Sequence, residues 1–309
     1  MKVVFLGTPD FGVPALEEIS KRHEIVACVC QPDKIGDRGK TEYCAVKKYA
    51  LAHGIPLYQF EKISRDGVET LKSLSPDIMV TAAYGQILSQ EVIDIAPHGI
   101  INIHGSLLPK LRGAGPIQYA VLLGYERTGI TILNTVKKVD AGDIILQKSL
   151  DIMPYETNGE LFARLSVLGA EAVVEALDLI ASGKAVYTPQ DEEKATFSGK
   201  ITAEMEKIDW NKPARDVINL VRALNPSPVA WTTWQGKRLK IYALRPCETR
   251  YEGVAGQVVM RNKKSFAVNC GDGSAVYVTE LQAENSKRLD VTSFLCGKDV
   301  QVGTVLGNE

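Results

Sequence analysis

The first half of the chain alternates short apolar runs with segments of helical periodicity. Strand-like runs occur at residues 3–7, 24–30, 55–59, 77–85, 100–104, 128–136 and 143–152, and helix-like segments at 14–21, 44–54, 67–75, 91–97 and 115–123. A short apolar run is typical of a strand buried on both faces, and strands separated by helices form parallel sheets. The sequence therefore predicts an α/β fold with a Rossmann-like, mostly parallel sheet covered by helices.

The rest of the chain has a different pattern. A long helix is predicted over 159–183, and a polar, irregular stretch follows at 186–208. A helix at 213–226 then precedes closely spaced strand-like runs with turn signals between them, which is typical of a small β-barrel. We therefore expect an N-terminal domain over 1–189, a linker over 190–208 and a C-terminal β-barrel domain over 209–309.

Composition indicates an ordinary globular protein, because 45% of the 309 residues are hydrophobic and 24% are charged. No apolar run approaches the ~20 residues of a membrane span, and the first residues lack the basic and apolar regions of a signal peptide. We therefore expect a cytoplasmic protein with no membrane partner. The six cysteines form no CxxC pair, so we expect reduced thiols and no metal site.

The net charge of −1 hides an asymmetry along the chain. Residues 206–309 contain 15 Lys and Arg against 11 Asp and Glu, a balance of +4, whereas residues 1–205 hold the other 21 and 26, a balance of −5. A basic C-terminal part is typical of a domain that contacts a polyanion. Chance scatter is the alternative, because a surplus of four charges is small.

The stretch IINIH at residues 100–104 is the first candidate for a catalytic site. Alternation along a strand places Asn102 and His104 on one face at its carboxyl end, where ligands bind in parallel sheets. An amide NH2 donates to an oxyanion, and an imidazole moves a proton near neutral pH. A hydrogen-bonded structural pair at a strand end is the alternative, and spacing alone does not decide between the two.

Three other stretches are weaker signals. The turn GTPDFG at 7–12 has neither the dinucleotide-binding nor the Walker spacing, so it indicates a tight turn between strand and helix. An acid in VDAGD at 139–143 can orient His104 or hold a water against it, although Asp and Gly are also common in plain turns. The charged loop QPDKIGDRGKTEYCAVKK at 31–48 can grip phosphates, or it can be an ordinary solvated loop.

Several of these stretches, taken in order, resemble the folate-dependent formyltransferases. NIHGSLLPKLRGAGPIQ contains the N-x-H followed by S-L-L-P that the family shares, and VDAGDIILQ resembles its second shared segment. The segments GTPDFGVPAL, QPDKIGDRGK, AYGQIL and KIDW…RALNPSPVAW are similar to the branch that formylates methionyl-tRNA. The resemblance extends along nearly the whole chain.

The resemblance implies an activity and a set of site residues. The formyl donor would be 10-formyltetrahydrofolate, and the acceptor would be the free amine of methionine on initiator methionyl-tRNA. The family's site residues fall here on Asn102, His104 and Asp140 for catalysis, on Ser106, Leu107, Leu108 and Pro109 for folate binding, and on Arg38 and Lys40 for contact with tRNA. It also implies an OB-like C-terminal domain along the tRNA and a monomer. No metal is needed, because the formyl group is already activated on the donor.

Two other functions fit part of the sequence. A sugar-nucleotide formyltransferase shares the N-x-H core, but the basic loop at 31–48 and the NPSP segment argue against an amino-sugar acceptor. A non-catalytic RNA-binding protein on the same fold is the second alternative. The presence of Asn102, His104 and Asp140 together argues against it, because binding alone does not need all three.

Overall fold

The computed structural model describes residues 1–35 and 41–308 of the chain. Contacts between residues divide these into two compact units. The first comprises residues 1–116, 127–150 and 162–198, and the second comprises 117–126, 151–161 and 199–309. The expected boundaries at 189 and 209 stay a prediction. Residues 190–198, which the sequence suggested as part of a linker, make contacts within the first unit.

The first unit is built around one large sheet. Its strands and the short ones beside it are β1 Lys2–Gly7, β2 Glu24–Cys30, β3 Lys34–Ile35, β4 Thr41–Glu42, β5 Leu57–Gln59, β6 Ile78–Ala82, β7 Ile100–His104, β8 Arg112–Gly113, β9 Arg127–Asn134, β10 Ile144–Asp151 and β11 Phe197–Ser198. The helices up to residue 181 are α1 Val13–Ser20, α2 Ala45–Ala52, α3 Val68–Leu74, α4 Gln90–Ile93, α5 Pro116–Leu122 and α6 Asn158–Ala181. Nearly every predicted apolar run is thus a strand, since strands of this kind are stable when both faces are covered.

The seven-stranded sheet has the order β10-β9-β7-β6-β1-β2-β5. The strands β5, β2, β1, β6 and β7 are parallel, whereas β9 pairs antiparallel with β7. The prediction of a Rossmann-like, mostly parallel sheet is therefore confirmed. Strand order reverses beside β1, because β2 lies on one side of it and β6 on the other. Such a switch point leaves a crevice at the carboxyl ends of the strands.

Strand β7 ends at this carboxyl edge with the side chains that the sequence singled out. In the sheet, Asn102 lies opposite Thr81 of β6, and His104 lies opposite Thr131 of β9. Ile101 and Ile103 are buried in the core, at 1% and 4% exposure. The apolar side chains therefore fix the register of β7, and the register brings Asn102 and His104 to the edge.

From residue 199 onwards, the second unit contains an antiparallel sheet and two α-helices. Its strands are β12 Trp231–Trp234, β13 Lys237–Cys247, β14 Val258–Arg261, β15 Phe266–Asn269, β16 Ala275–Ala283 and β17 Leu289–Asp290, and its helices are α7 Ala214–Ala223 and α8 Val291–Gly297. The six-stranded sheet has the order β12-β13-β16-β15-β14, with β17 beside β16. This arrangement confirms the OB-like C-terminal fold, a partly open antiparallel barrel.

A bulge near Tyr242 sets which side chains of β13 enter the core. The pairing of β13 with β16 shifts between Ile241 and Leu244. Leu239 and Ile241 are buried with period two, and the bulge then places Leu244 rather than Ala243 in the core. An extra residue in one strand has this effect because it reverses the alternation of inward and outward side chains. No described helix in either unit is both long and apolar enough to cross a bilayer.

The buried hydrogen bond from Trp210 Nε1 to Thr232 Oγ1, 3.0 Å long, generates a stability prediction. The variant Thr232→Val keeps the side-chain shape but leaves the indole N–H without its acceptor. We expect the free energy of unfolding of the second unit to fall by about 1–3 kcal/mol. Urea titration followed by tryptophan fluorescence measures it, because all three tryptophans lie in this unit. Thr279→Val, on the half-buried face of β16, is the control, and equal stability of both variants would contradict the prediction.

Candidate active site

The three predicted catalytic side chains lie together in the first unit. Asp140 Oδ1 lies 3.6 Å from His104 Nδ1 and accepts a hydrogen bond of 3.4 Å from Asn102 Nδ2. The His104 side chain is only 5% exposed, and that of Asp140 is 12% exposed. One carboxylate oxygen is therefore shared by an imidazole and an amide in a site from which most water is excluded.

The orientation of the Asn102 amide is fixed from β6. Thr81 Oγ1 donates a hydrogen bond of 2.7 Å to Asn102 Oδ1. The carbonyl oxygen of the amide is thereby occupied, so its NH2 group is the end that faces Asp140. Thr81 is 7% exposed and is a polar exception in the otherwise apolar strand β6. Asn102 is thus presented as a hydrogen-bond donor at the strand edge.

The tautomer of His104 is set by a backbone carbonyl. His104 Nε2 lies 3.0 Å from the oxygen of Leu111. A carbonyl oxygen only accepts hydrogen bonds, so Nε2 carries the proton and Nδ1 has the free lone pair in the neutral ring. Leu111 has a φ of +59° and donates its N–H to Thr196 Oγ1, which holds its carbonyl in place. His104 Nδ1, beside Asp140, is therefore the nitrogen available for proton transfer.

The Asp140 carboxylate is held by a backbone amide. Gly113 N donates a hydrogen bond of 2.8 Å to Asp140 Oδ2, the oxygen not shared with His104. Gly113 has a φ of +110°, and a Cβ there would lie 2.3 Å from the oxygen of Ser198. Glycine is required at this position, since a side chain would separate β8 from β11 and move the amide away from Asp140.

The predicted folate segment, Ser106–Pro109, is a rigid loop after β7. Thr131 Oγ1 donates to the oxygen of Ser106 at 2.7 Å and accepts from Leu108 N at 3.0 Å. Gln147 Nε2 donates to the oxygen of Leu108 at 2.9 Å, and Ser106 Oγ donates to that of Lys110 at 2.6 Å. Ser106 and Leu108 are buried, whereas Leu107 and Pro109 are half-exposed. Within this loop, Leu107 and Pro109 are therefore the residues whose side chains a ligand can contact. Folate binding by all four stays a prediction.

The two predicted tRNA contacts, Arg38 and Lys40, lie outside the described residues. A neighbouring lysine of the same charged stretch is already engaged. Lys47 Nζ donates to Asp33 Oδ2 at 2.5 Å and to Gln59 Oε1 at 3.0 Å. The hydrogen bond to Asp33 raises the pKa of Lys47. Lys47 therefore stabilises the base of this stretch and is not a free phosphate ligand.

Sequence reasoning missed the residues that hold the three catalytic candidates in place. These are Thr81, Leu111, Gly113 and Gln190, of which Gln190 donates to the backbone oxygens of Asp140 and Gly142. A threonine inside an apolar strand was a usable signal for Thr81. The others act through backbone atoms or from a distant part of the chain, so the local pattern gives no signal for them.

A buried arginine lies next to the site. Arg112 is 1% exposed and makes a two-pronged contact with Glu192, with Nη2 to Oε1 at 2.9 Å and Nη1 to Oε2 at 3.1 Å. Lys138 Nζ donates to the same carboxylate at 2.7 Å. These hydrogen bonds lower the pKa of Glu192 from 4.5 to about 2, and the one from Arg112 has the largest effect, followed by the one from Lys138. A buried guanidinium needs such a partner, because an unpaired buried charge is strongly destabilising.

The described residues contain no candidate metal site. Over residues 1–35 and 41–308, no group of three or more His, Cys, Asp or Glu side chains is placed to hold a metal ion. All six cysteines are free thiols.

Solved structures share this architecture. An N-formyltransferase from Helicobacter canadensis, solved with folinic acid and dTDP-3-aminofucose, superposes with a TM-score of 0.70 at 18% identity, covering 92% of this chain and 100% of that one. HypX from Aquifex aeolicus, solved with tetrahydrofolic acid, superposes with a TM-score of 0.66 at 19% identity, covering 98% of this chain and 50% of that one. At these identities the likeness is one of fold.

Sequence profiles of known families add the class of protein. The profile described as "Formyl transferase" matches residues 1–177, and that described as "Formyl transferase, C-terminal domain" matches residues 200–299. The chain, with its Rossmann-like sheet, its site at the sheet edge and its OB-like second unit, is therefore a member of the formyl transferase class.

Curated relatives define the family more narrowly. The chain is 42% identical to the methionyl-tRNA formyltransferase of Listeria monocytogenes, over 96% of this chain and 95% of that protein. It is also 42% identical to the methionyl-tRNA formyltransferase of Bacillus cytotoxicus, over 100% of this chain and 99% of that protein. The chain belongs to the methionyl-tRNA formyltransferase family, and the resemblance found in the sequence is confirmed.

The Arg112–Glu192 contact generates a prediction about pH. Because the pKa of Glu192 is lower in the folded chain than its usual 4.5, the carboxylate contributes stability fully above about pH 4.5. That contribution is lost as the pH falls towards 2. Wild type should therefore be more stable than Glu192→Gln at pH 7, and the difference should shrink below about pH 4.5. Urea midpoints measured from pH 7 to pH 3 test this.

Glu193→Gln is the matched control, because Glu193 is the exposed neighbouring carboxylate. It should leave the midpoint close to that of wild type at every pH. A difference between wild type and Glu192→Gln that stays constant down to pH 3 would contradict the role of the ionised pair.

Proposed function

We propose that this chain transfers the formyl group of 10-formyltetrahydrofolate to the amino group of methionine on initiator methionyl-tRNA. The product, N-formylmethionyl-tRNA, serves translation initiation. Curated methionyl-tRNA formyltransferases match 96% to 100% of the chain at 42% identity. The observation that carries the proposed chemistry is the convergence of Asn102 Nδ2 and His104 Nδ1 on Asp140 Oδ1.

The first step of the proposed mechanism is attack by the neutral amine on the formyl carbon. A carbon–nitrogen bond forms, and the formyl oxygen gains negative charge in a tetrahedral intermediate. Asn102 Nδ2, held in orientation by Thr81, is the donor to this oxygen. A donor that is fixed before the reaction stabilises developing charge without reorganisation, and losing one typically costs ~100-fold or more in rate.

The second step moves a proton from the attacking amine to the leaving nitrogen of the folate. His104 Nδ1 accepts the amine proton, because Nε2 already holds a proton against the oxygen of Leu111. The imidazolium then donates to the folate nitrogen as the carbon–nitrogen bond to the donor breaks. Asp140, 3.6 Å from Nδ1, stabilises the imidazolium between these two transfers.

The second unit carries a surface suited to the tRNA. On the outer face of β12 and β13, Arg238 lies over the ring of Trp231 at 4.1 Å, and Lys207 lies over the same ring at 5.9 Å. On the same sheet Arg288 lies over Tyr242 at 4.1 Å, but its guanidinium is already paired with Glu280, so it is not counted among the cations of this face. Cations and aromatic rings together are suited to phosphates and bases. We assign this face to the tRNA, and the Ser106–Pro109 loop to the folate.

We further propose that the protein acts as a monomer in the cytoplasm, where charged tRNA and folate are available. A sugar-nucleotide formyltransferase shares the fold at 18% identity but is the less favoured function. The basic loop at 31–48 suits a polyanionic acceptor better than an amino sugar. A purely RNA-binding role leaves the buried arrangement of Asn102, His104 and Asp140 without a use.

The decisive experiment compares acceptors with the same donor. The protein is incubated with 10-formyltetrahydrofolate and either charged initiator methionyl-tRNA or an amino-sugar nucleotide. We expect formylation of the tRNA alone. Formylation of the amino sugar alone would replace the proposed function by the alternative, and tRNA binding without any transfer would support the non-catalytic one.

His104→Ala tests the proton-transfer role. Removing the imidazole takes away the only base placed beside Asp140 in the proposed mechanism, so we expect formylation to fall by ~100-fold or more. Filter binding should give nearly unchanged affinity for tRNA. His98→Ala is the matched control, since His98 is exposed and lies before β7 rather than at its catalytic end. A fully active His104→Ala variant would exclude this mechanism.

Arg38→Ala tests the proposed tRNA contact. Loss of a phosphate contact should weaken tRNA binding and reduce the slope of log affinity against log salt by about one. Folate affinity should be unchanged. Arg22→Ala is the control, because Arg22 is an exposed arginine that pairs with Asp178 in α6. A fall in folate affinity, with tRNA binding intact, would indicate that Arg38 contacts the folate and not the tRNA.

A further inference from the structure

The side chain of Gln190 bridges the turn that carries Asp140. Gln190 Nε2 donates to the backbone oxygen of Asp140 at 2.8 Å and to that of Gly142 at 2.7 Å. Gln190 lies between the segments that the two family profiles match, 1–177 and 200–299, and in the stretch that the sequence suggested as a linker. A residue from outside both profiles therefore contacts the backbone of a catalytic candidate.

Arg112 fixes which way the Gln190 amide points. Arg112 Nε and Nη2 donate to Gln190 Oε1 at 3.1 and 2.9 Å. The amide oxygen is thereby satisfied by the guanidinium, and the NH2 group is turned towards the two backbone oxygens. Arg112 is itself held by Glu192. Only a side chain that accepts at one end and donates twice at the other satisfies this position.

The turn at Asp140 needs external support. Asp140 has a φ of +51°, in the left-handed region that is unfavourable for residues other than glycine. The carboxylate is fixed through Oδ2 by Gly113 N, and the backbone is fixed through its oxygen by Gln190. Arg112 and Gly113 are consecutive residues. This dipeptide therefore holds Asp140 twice. The Gly113 amide binds its carboxylate directly, and Arg112 acts on its backbone oxygen through Gln190.

We propose that Gln190 is a positioning residue of the formyl transfer, which keeps Asp140 Oδ1 aligned with His104 Nδ1 and Asn102 Nδ2. The inference rests on the proposed function and adds a residue to its machinery. Gln190 acts through Asp140, because its amide holds the backbone of the turn that carries this residue. Without it the turn relaxes, and the carboxylate loses its fixed distance to the imidazole. A misplacement of about 1 Å in such a site can cost ~100-fold in rate.

Gln190→Glu is the sharpest variant, because it keeps the size and the acceptor for Arg112 but removes the donor to both backbone oxygens. We expect kcat to fall by about 10–100-fold, with KM for tRNA and for folate changed less than about threefold. Gln190→Met, which removes donor and acceptor without adding charge, should change kcat in the same direction. Wild-type kcat in Gln190→Met would mean that any loss in Gln190→Glu comes from its new charge, and would overturn the proposal.

A double-variant cycle separates positioning from general destabilisation. Single-turnover rates are measured for wild type, Gln190→Glu, Asp140→Asn and the double variant, with enzyme in excess. If Gln190 acts through Asp140, its substitution should cost less than about twofold once the Asp140 carboxylate is gone. The same loss in both backgrounds would indicate a merely structural role and would contradict the proposal.

Gln90→Glu is the matched control, since Gln90 is an exposed amide that donates to Asp94 at 2.8 Å. It should retain wild-type kcat. The experiment also separates this inference from the proposed function. A wild-type protein that does not formylate methionyl-tRNA would refute the function, whereas an active wild type with fully active Gln190→Glu and Gln190→Met variants would refute only the role of Gln190.

Discussion

The carboxylate of Asp140 is the interaction on which the rest of the site depends. Its Oδ1 faces His104 Nδ1 and Asn102 Nδ2, and its Oδ2 accepts from Gly113 N. Asn102 and His104 belong to β7 and Gly113 belongs to β8, so the site exists only when β7, β8 and the turn before β10 are all in place. A charge buried to this degree is tolerated because each of its oxygens has a hydrogen-bond donor.

Threonines in two buried strands connect the sheet to this site. Thr81 of β6 fixes the Asn102 amide, and Thr131 of β9 holds the Ser106–Pro109 loop at two points. Both side chains are enclosed, at 7% and 0% exposure, and both have partners for their hydroxyls. Because a strand in a packed sheet has no freedom to shift, these hydroxyls place the loop and the amide more accurately than a surface loop would. The chemistry is therefore built on rigid elements.

Much of the fold and part of the site could be predicted from the sequence. Strand β7 was predicted over 100–104 and has those bounds, and the resemblance carried by N-x-H, SLLP and VDAGD assigned the three residues that the structure brings together. The antiparallel direction of β9 was not predictable, since an apolar run reads the same in either direction. Neither was the bulge in β13, because only pairing with β16 shows that Leu244 replaces Ala243 in the core.

The sequence by itself determined that Asn102 and His104 share a face at a strand end, because side-chain alternation is a local property of the backbone. It also determined the family, since several motifs occur in the right order. Only the tertiary structure decided which nitrogen of His104 is free, which end of Asn102 donates, and that Gln190 supports Asp140. Hydrogen bonds between distant segments have direction as well as distance, and both are set by packing that no local pattern encodes.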